Sequence, residues 1–421
     1  MKAIIIFILI FGVLVTFHEF GHFIMAKRAG IFVREFSIGM GPLIFHYQGQ
    51  ETTYSLRLLP MGGYVRMAGL EENNDYFEPG RPVSAVLDDE GAIRFLSFME
   101  EANLEEGLPL EVVAGDMEKD FYLEAIPYGE NEAKRFAISR SAVIEEEDGT
   151  QVKVAPIDRQ FQNASLKDRL LTNLAGPFNN FVLAVVVYIL IAFMQGGVYS
   201  DAPTVGEIVA DSPAASAGLM AGDTIQQIGA TSIASFTDIQ AALQQSGTKK
   251  VDVQVKRTNG EVKTLTLTPK EEQDQSGNKR LILGIMRSKD QRFTSKIMYG
   301  FTSIWGIVTG IFGVIGHMLR TGFNINNFGG PVYMYQATSE VVSFGASAVL
   351  SLMAYLSVNL GVVNLLPIPA LDGGKVLLNL VEGIRKKPLS AKTEGMINMI
   401  GAVLLVLLFI AVTWNDIMRL F

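Results

Sequence analysis

Long apolar runs dominate the pattern of the chain, at residues 3–25, 175–194, 346–366 and 397–412. Each approaches the roughly 20 residues that a helix needs to cross a hydrocarbon core about 30 Å thick. A fifth run, 304–319, is shorter and carries Gly306, Gly310, Gly313 and Gly316. Two polar stretches, roughly 34–170 and 198–293, are each long enough for a small domain. The first contains Thr53 to Met67, which reads as two strand-like runs joined by a turn at Pro60, Gly62 and Gly63. Farther on, alternating stretches at 135–139 and 152–155 predict a β-rich insertion within an acidic region, whose charge run Glu145-Glu146-Glu147-Asp148 reads as a solvated face.

Charge then orients the spans. Lys27, Arg28 and Arg34 follow the first run and place its C-terminal end in the cytosol, where the 34–170 region also lies. The second span leads outward to an extracytoplasmic 198–293 region. The third returns, and a loop with Lys375, Arg385, Lys386, Lys387 and Lys392 marks the cytosolic side again. This count requires the 304–319 run not to cross. Lys296, Trp305, His317 and Arg320 bracket it as they would an interfacial or re-entrant helix, and its glycines suit close packing on a neighbour.

The expected class is therefore membrane α-helical, with four transmembrane helices, a membrane-associated β-hairpin, a cytosolic β-rich insertion and one extracytoplasmic α+β domain. The predicted order is a first span over 1–33, the hairpin region over 34–70, the acidic insertion over 71–165 and a second span over 166–197. The outer domain over 198–290, an amphipathic segment over 291–340, a third span over 341–376, and a basic loop with the fourth span over 377–421 complete it.

Composition changes the picture little. The net charge of −8 disfavours a nucleic-acid partner, and the absence of cysteine removes disulfides and thiol chemistry from consideration. The N-terminal run resembles a signal peptide, but it continues into His18-Glu19-Phe20-Gly21-His22 with no small-residue cleavage site, so a retained span is expected.

That pentapeptide is the main candidate chemistry. Positions i and i+4 share a helix face, so two imidazoles can meet one metal ion with a carboxylate beside it. Two histidines and a glutamate inside an apolar span are costly unless paired or functional. Catalytic zinc sites usually have three protein ligands and an open position. Of the remaining histidines, His46 reads as a strand or surface residue and His317 as an interfacial one. Asp372 is the better third ligand, because it follows the third span at the same membrane face, just past Pro367 and Pro369. Zinc held by His18, His22 and Asp372 would activate a water, with Glu19 as general base and acid. For Asn364, near the end of the third span, structural and catalytic roles both remain open; Asn359 lies five positions away, too far along the helix to be its neighbour.

These residues resemble the site-2 protease family. The match rests on HEFGH at 18–22, NLAGPFNN at 173–180 and NLLPIPALDG at 364–373, one motif in each of the first three spans. The closest likeness is to the bacterial branch, the regulator-of-sigma-factor intramembrane zinc metalloproteases, and it covers most of the chain outside about 75–155. The resemblance implies one zinc per chain on His18, His22 and Asp372, Glu19 as the catalytic carboxylate, and Asn364 in substrate positioning. It implies cleavage of single-span membrane proteins within the bilayer, among them anti-sigma-factor-like proteins and signal-peptide remnants, in a bacterial plasma membrane with the active site near the cytosol. Similar proteins also place a hairpin near 53–67 that dips towards the active site. Residues 202–271 are similar to the PDZ domains of bacterial proteases, which bind chain ends by strand addition; a substrate filter and a passive spacer are the two readings. Against the protease stand a catalytically silent PDZ scaffold, which has no use for the buried His/Glu/His set, and a metal transporter, for which no internal repeat is found.

Overall fold

The computed structural model describes residues 2–69, 75–99, 107–117, 119–273, 279–387 and 389–420. Residues 71–74 and 100–106 of the expected insertion, and Phe421, lie outside these. Among the described residues five helices are long and apolar enough to cross a membrane, so the chain is a multi-pass membrane protein with β-rich regions. The fold divides into two units, residues 1–186 with 304–421, and residues 187–303.

In the first unit, α1 (Lys2–Arg28) carries HEFGH two-thirds of the way along. It leads into β1 (Val33–Gln48) and β2 (Thr53–Met67), which are antiparallel. The two halves of β2 do not form a hairpin with each other, contrary to the expectation from the Pro/Gly turn. Both pair with β1: Phe36 faces Val65 on one side and Tyr54 on the other, while Tyr47 also faces Tyr54. Four ribbons result, in the order 63–67, 33–38, 53–56, 43–48, because β1 and β2 each fold back on themselves. Gly39, Gly41 and Gly62 have positive φ and lie where these bends occur. The 63–67 ribbon is an outer edge, with no further strand against it among the described residues.

The insertion is a small β structure of β3 (Pro82–Leu87), β4 (Ile93–Ser97), β5 (Leu108–Asp116), β6 (Tyr122–Pro127), β7 (Lys134–Glu145) and β8 (Gln151–Lys153). The sheet order is β4-β3-β5-β6-β7-β8, and an added parallel pairing of β4 with β7 closes the first five strands into a barrel. Alternate residues point inward, as in β6. Ile93, Leu110, Leu123, Ile144 and Val152 fill the core. The acidic run at the end of β7 is solvated in part, with Glu147 and Asp148 exposed, but its carboxylates also have partners: Glu145 accepts from Ser97, Glu146 pairs with Arg66, Glu147 with Arg81 and Asp148 with Arg57.

Helix α2 (Leu166–Met194) follows and runs on into the second unit. There β9 (Val198–Tyr199), β10 (Val205–Ile208), α3 (Pro213–Ser216), β11 (Thr224–Ile228), β12 (Thr231–Ser232), α4 (Phe236–Ser246), β13 (Val251–Lys256), β14 (Val262–Leu267), β15 (Lys270–Gln273), β16 (Lys279–Ile282), β17 (Ile285–Arg287) and β18 (Lys289–Asp290) follow in order. The main sheet is β12-β11-β13-β14, with pairs β10-β17, β15-β16 and β9-β18. Its core holds Val205, Ile225, Ile228, Leu243, Val253 and Leu283. Ser235 and Asp238 make a reciprocal capping box at the start of α4.

Helix α5 (Phe293–Thr321) has 29 residues, longer than the expected 304–319 run because its polar first turns are also helical. A Cβ built on Gly306, Gly310, Gly313 or Gly316 would meet no packed neighbour within 4 Å, so the expected close packing is absent among the described residues. The amphipathic region ends in a separate helix, α6 (Pro331–Val342), before α7 (Ala346–Asn364). The predicted third span is broken after Asn364, and Asp372 opens α8 (Asp372–Arg385). The expected basic loop is largely this helix, since Pro367 and Pro369 stop α7 without preventing a new start. The last helix is α9 (Ala391–Met418). Its early part meets the 365–372 loop, where Ala370 N–H donates to Asn398 Oδ1 at 3.4 Å. Its far end meets α6, where Tyr333 N–H donates to Asp416 Oδ2 at 3.0 Å. Tyr335 of α6 packs edge-on against Phe7, near the start of α1.

Candidate metal centre

The site forms where α1, α2, α7 and the start of α8 converge. Helix α2 runs antiparallel to α1, so Thr172 lies level with His22 and Asn180 with His18. Helix α7 runs antiparallel to α2, with Ser357 Oγ donating to the Asn180 carbonyl at 2.8 Å. Glycines set the spacing. A Cβ on Gly21 would lie 2.3 Å from the Ala175 carbonyl, and one on Gly176 would lie 2.2 Å from His22 Nε2. Cβ atoms on Gly373 and Gly374 would strike the carbonyls of Leu365, Leu366 and Ile368, so these glycines let α8 begin directly against the end of α7.

Three predicted residues meet. His18 Nε2 and His22 Nε2 are 3.2 Å apart, and Asp372 Oδ2 lies 3.1 Å from the first and 3.3 Å from the second. All three side chains are buried. Asp372 Oδ2 has no hydrogen-bond partner of good geometry. Two ligands at about 2.0–2.2 Å from a tetrahedral ion stand about 3.3 Å apart, so the triangle has the size of three ligands around one zinc. The donor set of two imidazoles and one carboxylate suits that ion.

The outer ring nitrogens are also occupied. His22 Nδ1–H donates to the Thr172 carbonyl at 2.7 Å, leaving Nε2 with its lone pair towards Asp372. The Asn180 amide lies 3.0 Å from His18 Nδ1. Glu19 is half-buried beside the triangle, and its Cγ is 3.8 Å from where a Cβ on Gly63 would stand. The outer β ribbon thus passes next to Glu19. Asn364 is the half-buried last residue of α7, and Asn359 donates to its own helix at the Tyr355 carbonyl. His46 stands in β1 opposite Ser55, and His317 lies in α5; neither joins the cluster.

Thr172, Asn180 and Ser357 carry no role in the sequence reading. Their signal is periodic: Thr172, Gly176 and Asn180 recur at i, i+4 and i+8, and Ser357 and Gly361 at i and i+4, tracing small or polar stripes on apolar helices.

The family model described as "Peptidase family M50" matches residues 6–408. The chain is 44% identical over 427 residues to an Enterococcus faecalis protein whose name includes the words protease eep, covering 100% of both chains. It is 40% identical over 433 residues to a Lactococcus lactis protein, covering 100% of this chain and 99% of that one. A Streptococcus pneumoniae protein is 39% identical over 426 residues, with 100% of both covered. The names of the last two include the words zinc metalloprotease.

Proposed function

As the chain belongs to peptidase family M50, the site-2 protease family, and is therefore a protease, we propose that it is a zinc endopeptidase that cuts single-span membrane proteins within the membrane. The observation that carries the reading is the buried triangle of His18, His22 and Asp372 with Glu19 beside it. His18, His22 and Asp372 would hold the zinc. When bound, the ion supplies a Lewis acid and brings the pKa of a water towards about 7.

This chain's residues do the rest. The Glu19 carboxylate accepts the proton of the attacking water and delivers it to the leaving amine. Thr172 fixes the His22 tautomer, and the Asn180 amide, its Nδ2 3.0 Å from His18 Nδ1, holds the His18 ring in place. A helical substrate hides its scissile bond and must unwind first. The 63–67 edge can hold the unwound segment by main-chain hydrogen bonds beside Glu19. Asn364, at the broken end of α7, is the candidate for orienting the substrate carbonyl.

Four crossings, by α1, α2, α7 and α9, fit the contacts within the first unit. Helix α2 starts at the metal end and leads away from it, while α7 ends there. Helix α6 belongs to the far end, with the start of α1 and the end of α9. A chain that leaves by α2 and arrives at α6 on the same far side makes an even number of crossings between them. The 12 residues of α6 reach only about 18 Å, too short to pair with α5 in a second crossing. Helix α5 therefore lies along the far interface, as its one-sided apolar face suggests. Positive charge at 27, 28, 34 and 385–387 puts the metal end in the cytosol of a bacterial cell and residues 198–290 outside.

The 198–290 region reads as a PDZ-like module. A cleft of ≈ 420 Å³ runs between α4 and residues 281–287, lined by Phe236, Ile239, Leu243, Leu283 and Ile285. It suits a chain end or peptide, and through it the module filters substrates.

The test is cleavage of a single-span reporter by purified protein with and without chelator, and by Glu19→Gln. The reading requires chelator-sensitive cleavage and a loss of roughly 10²–10⁴-fold in the variant with zinc retained. Cleavage that survives both refutes it.

A further inference from the structure

The barrel of residues 75–155 has no part in the chemistry above, yet charged contacts bind it to the ribbon beside Glu19. The turn between β7 and β8 presents Glu146, Asp148 and Thr150. Arg66 Nη1 donates to Glu146 Oε2 at 2.6 Å, and the Tyr76 hydroxyl donates to the other oxygen of the same carboxylate. Arg57 Nη1 donates to Asp148 Oδ2 at 3.1 Å and to the Gly41 carbonyl at 3.0 Å. Arg57 Nη2 donates to Glu35 Oε1 and Thr150 Oγ1, both at 3.0 Å. Glu35, only 1% exposed, also accepts from the Tyr64 hydroxyl at 2.8 Å. The Thr53 hydroxyl donates to the Gln151 carbonyl of β8.

The placement of the arginines matters. Both belong to β2, on either side of Gly63, the residue next to Glu19. Arg57 joins the inner ribbon, the bend of β1 and the barrel turn; Arg66 joins the edge ribbon to the same turn. Two anchors from one rigid barrel thus bracket the stretch against which a substrate would lie.

We infer that the β7–β8 turn is a clamp that sets the position of the 63–67 edge relative to Glu19, making Glu146 and Asp148 positioning residues for substrate engagement. This rests on the protease reading. The clamp acts through β2 and touches neither the metal ligands nor the reacting atoms, so its loss should weaken substrate binding and spare the chemical step. The carboxylates are the residues to change. Without Asp148, Arg57 keeps Glu35 as its partner; without Arg57, Glu35 would be left buried and uncompensated.

The experiment compares full-length wild type with the double variant Glu146→Ala, Asp148→Ala. Losing hydrogen bonds to charged groups should raise KM for a single-span reporter about tenfold, with kcat unchanged. Zinc content and melting temperature should stay at wild-type values, and amide exchange at 63–67 should quicken. Glu146→Gln with Asp148→Asn keeps acceptor oxygens and should recover part of the loss. Unchanged KM and unchanged exchange would overturn the inference. So would a parallel fall of kcat, zinc content and melting temperature, which would make the turn a folding brace. If the wild type shows no chelator-sensitive cleavage, the protease reading falls, and exchange at 63–67 alone decides whether the clamp exists.

Discussion

At the scale of single residues, the site depends as much on atoms that are missing as on those that bind. Gly176 faces His22 with no room for a methyl group, since a Cβ would stand 2.2 Å from Nε2. Gly176→Ala should therefore push the ring out of the triangle and lower zinc occupancy by at least about tenfold, the scale of disturbing a ligand's support. Metal analysis of the purified variant checks this; full occupancy would mean that α1 and α2 can part without cost. Asp372→Ala should lose zinc more completely, because a three-ligand site has no spare, and undiminished metal there would remove Asp372 from the ligand set. Asn180→Ala should weaken zinc binding about tenfold while keeping the fold, by releasing the His18 ring. His18, Glu19 and His22 stand out in the sequence as ionisable groups in an apolar helix, and Asp372 as a carboxylate just past the end of one. Asn180 and Thr172 do not, because one works through an amide on a neighbouring helix and the other through its backbone carbonyl. No side-chain pattern announces a backbone acceptor.

At the scale of elements, the apolar runs identified the long apolar helices, and alternation identified the β-rich insertion. Pairing was less legible. The Pro/Gly turn within 53–67 suggested a local hairpin, but both halves of β2 found a stronger partner in β1, which lies between them. The ion pairs of the acidic run at 145–148 were not legible because the cationic partners are distant in sequence: Arg66, Arg81 and Arg57 lie 66–91 positions away. A similar long-range contact joins the turn after β1 to the end of α1. Glu51 accepts from Arg159 and Lys27, which together bring its pKa down to about 2 from its ordinary value of 4.5. A lowered acid stabilises the fold above its unfolded value, and that contribution disappears as pH falls from about 4.5 towards 2. Glu51→Gln should therefore lower the melting temperature at pH 7, where the wild type holds this contribution, and barely change it near pH 2, so that the acid limb of the profile flattens. Solvent screens the exposed carboxylate, so the effect should stay below about 1 kcal/mol. An unchanged acid limb would show that the contact contributes nothing.

At the scale of the whole molecule, the proposed four-crossing topology assigns the chemistry to one side of the membrane and residues 198–290 to the other. On that reading α1 and α7 end at the metal and α2 begins there, which calls for an even number of crossings between α2 and α7. On this topology the module cannot reach the zinc, so it can act only on which substrates enter the spans. Deleting 202–271 should then allow cleavage of reporters with bulky outer domains that the full-length enzyme refuses. Turnover of a reporter already trimmed outside should remain nearly unchanged, because α1, α7, α8, the 63–67 ribbon and the part of α2 that meets the metal ligands all belong to the other unit. The measurement is paired cleavage of one reporter, with and without an outer domain, by both forms of the enzyme. A change confined to the bulky substrate supports the filter. Equal discrimination by both forms leaves the module a spacer, since a filter that can be removed without changing the ratio of the two rates contributes no free energy to the choice between them.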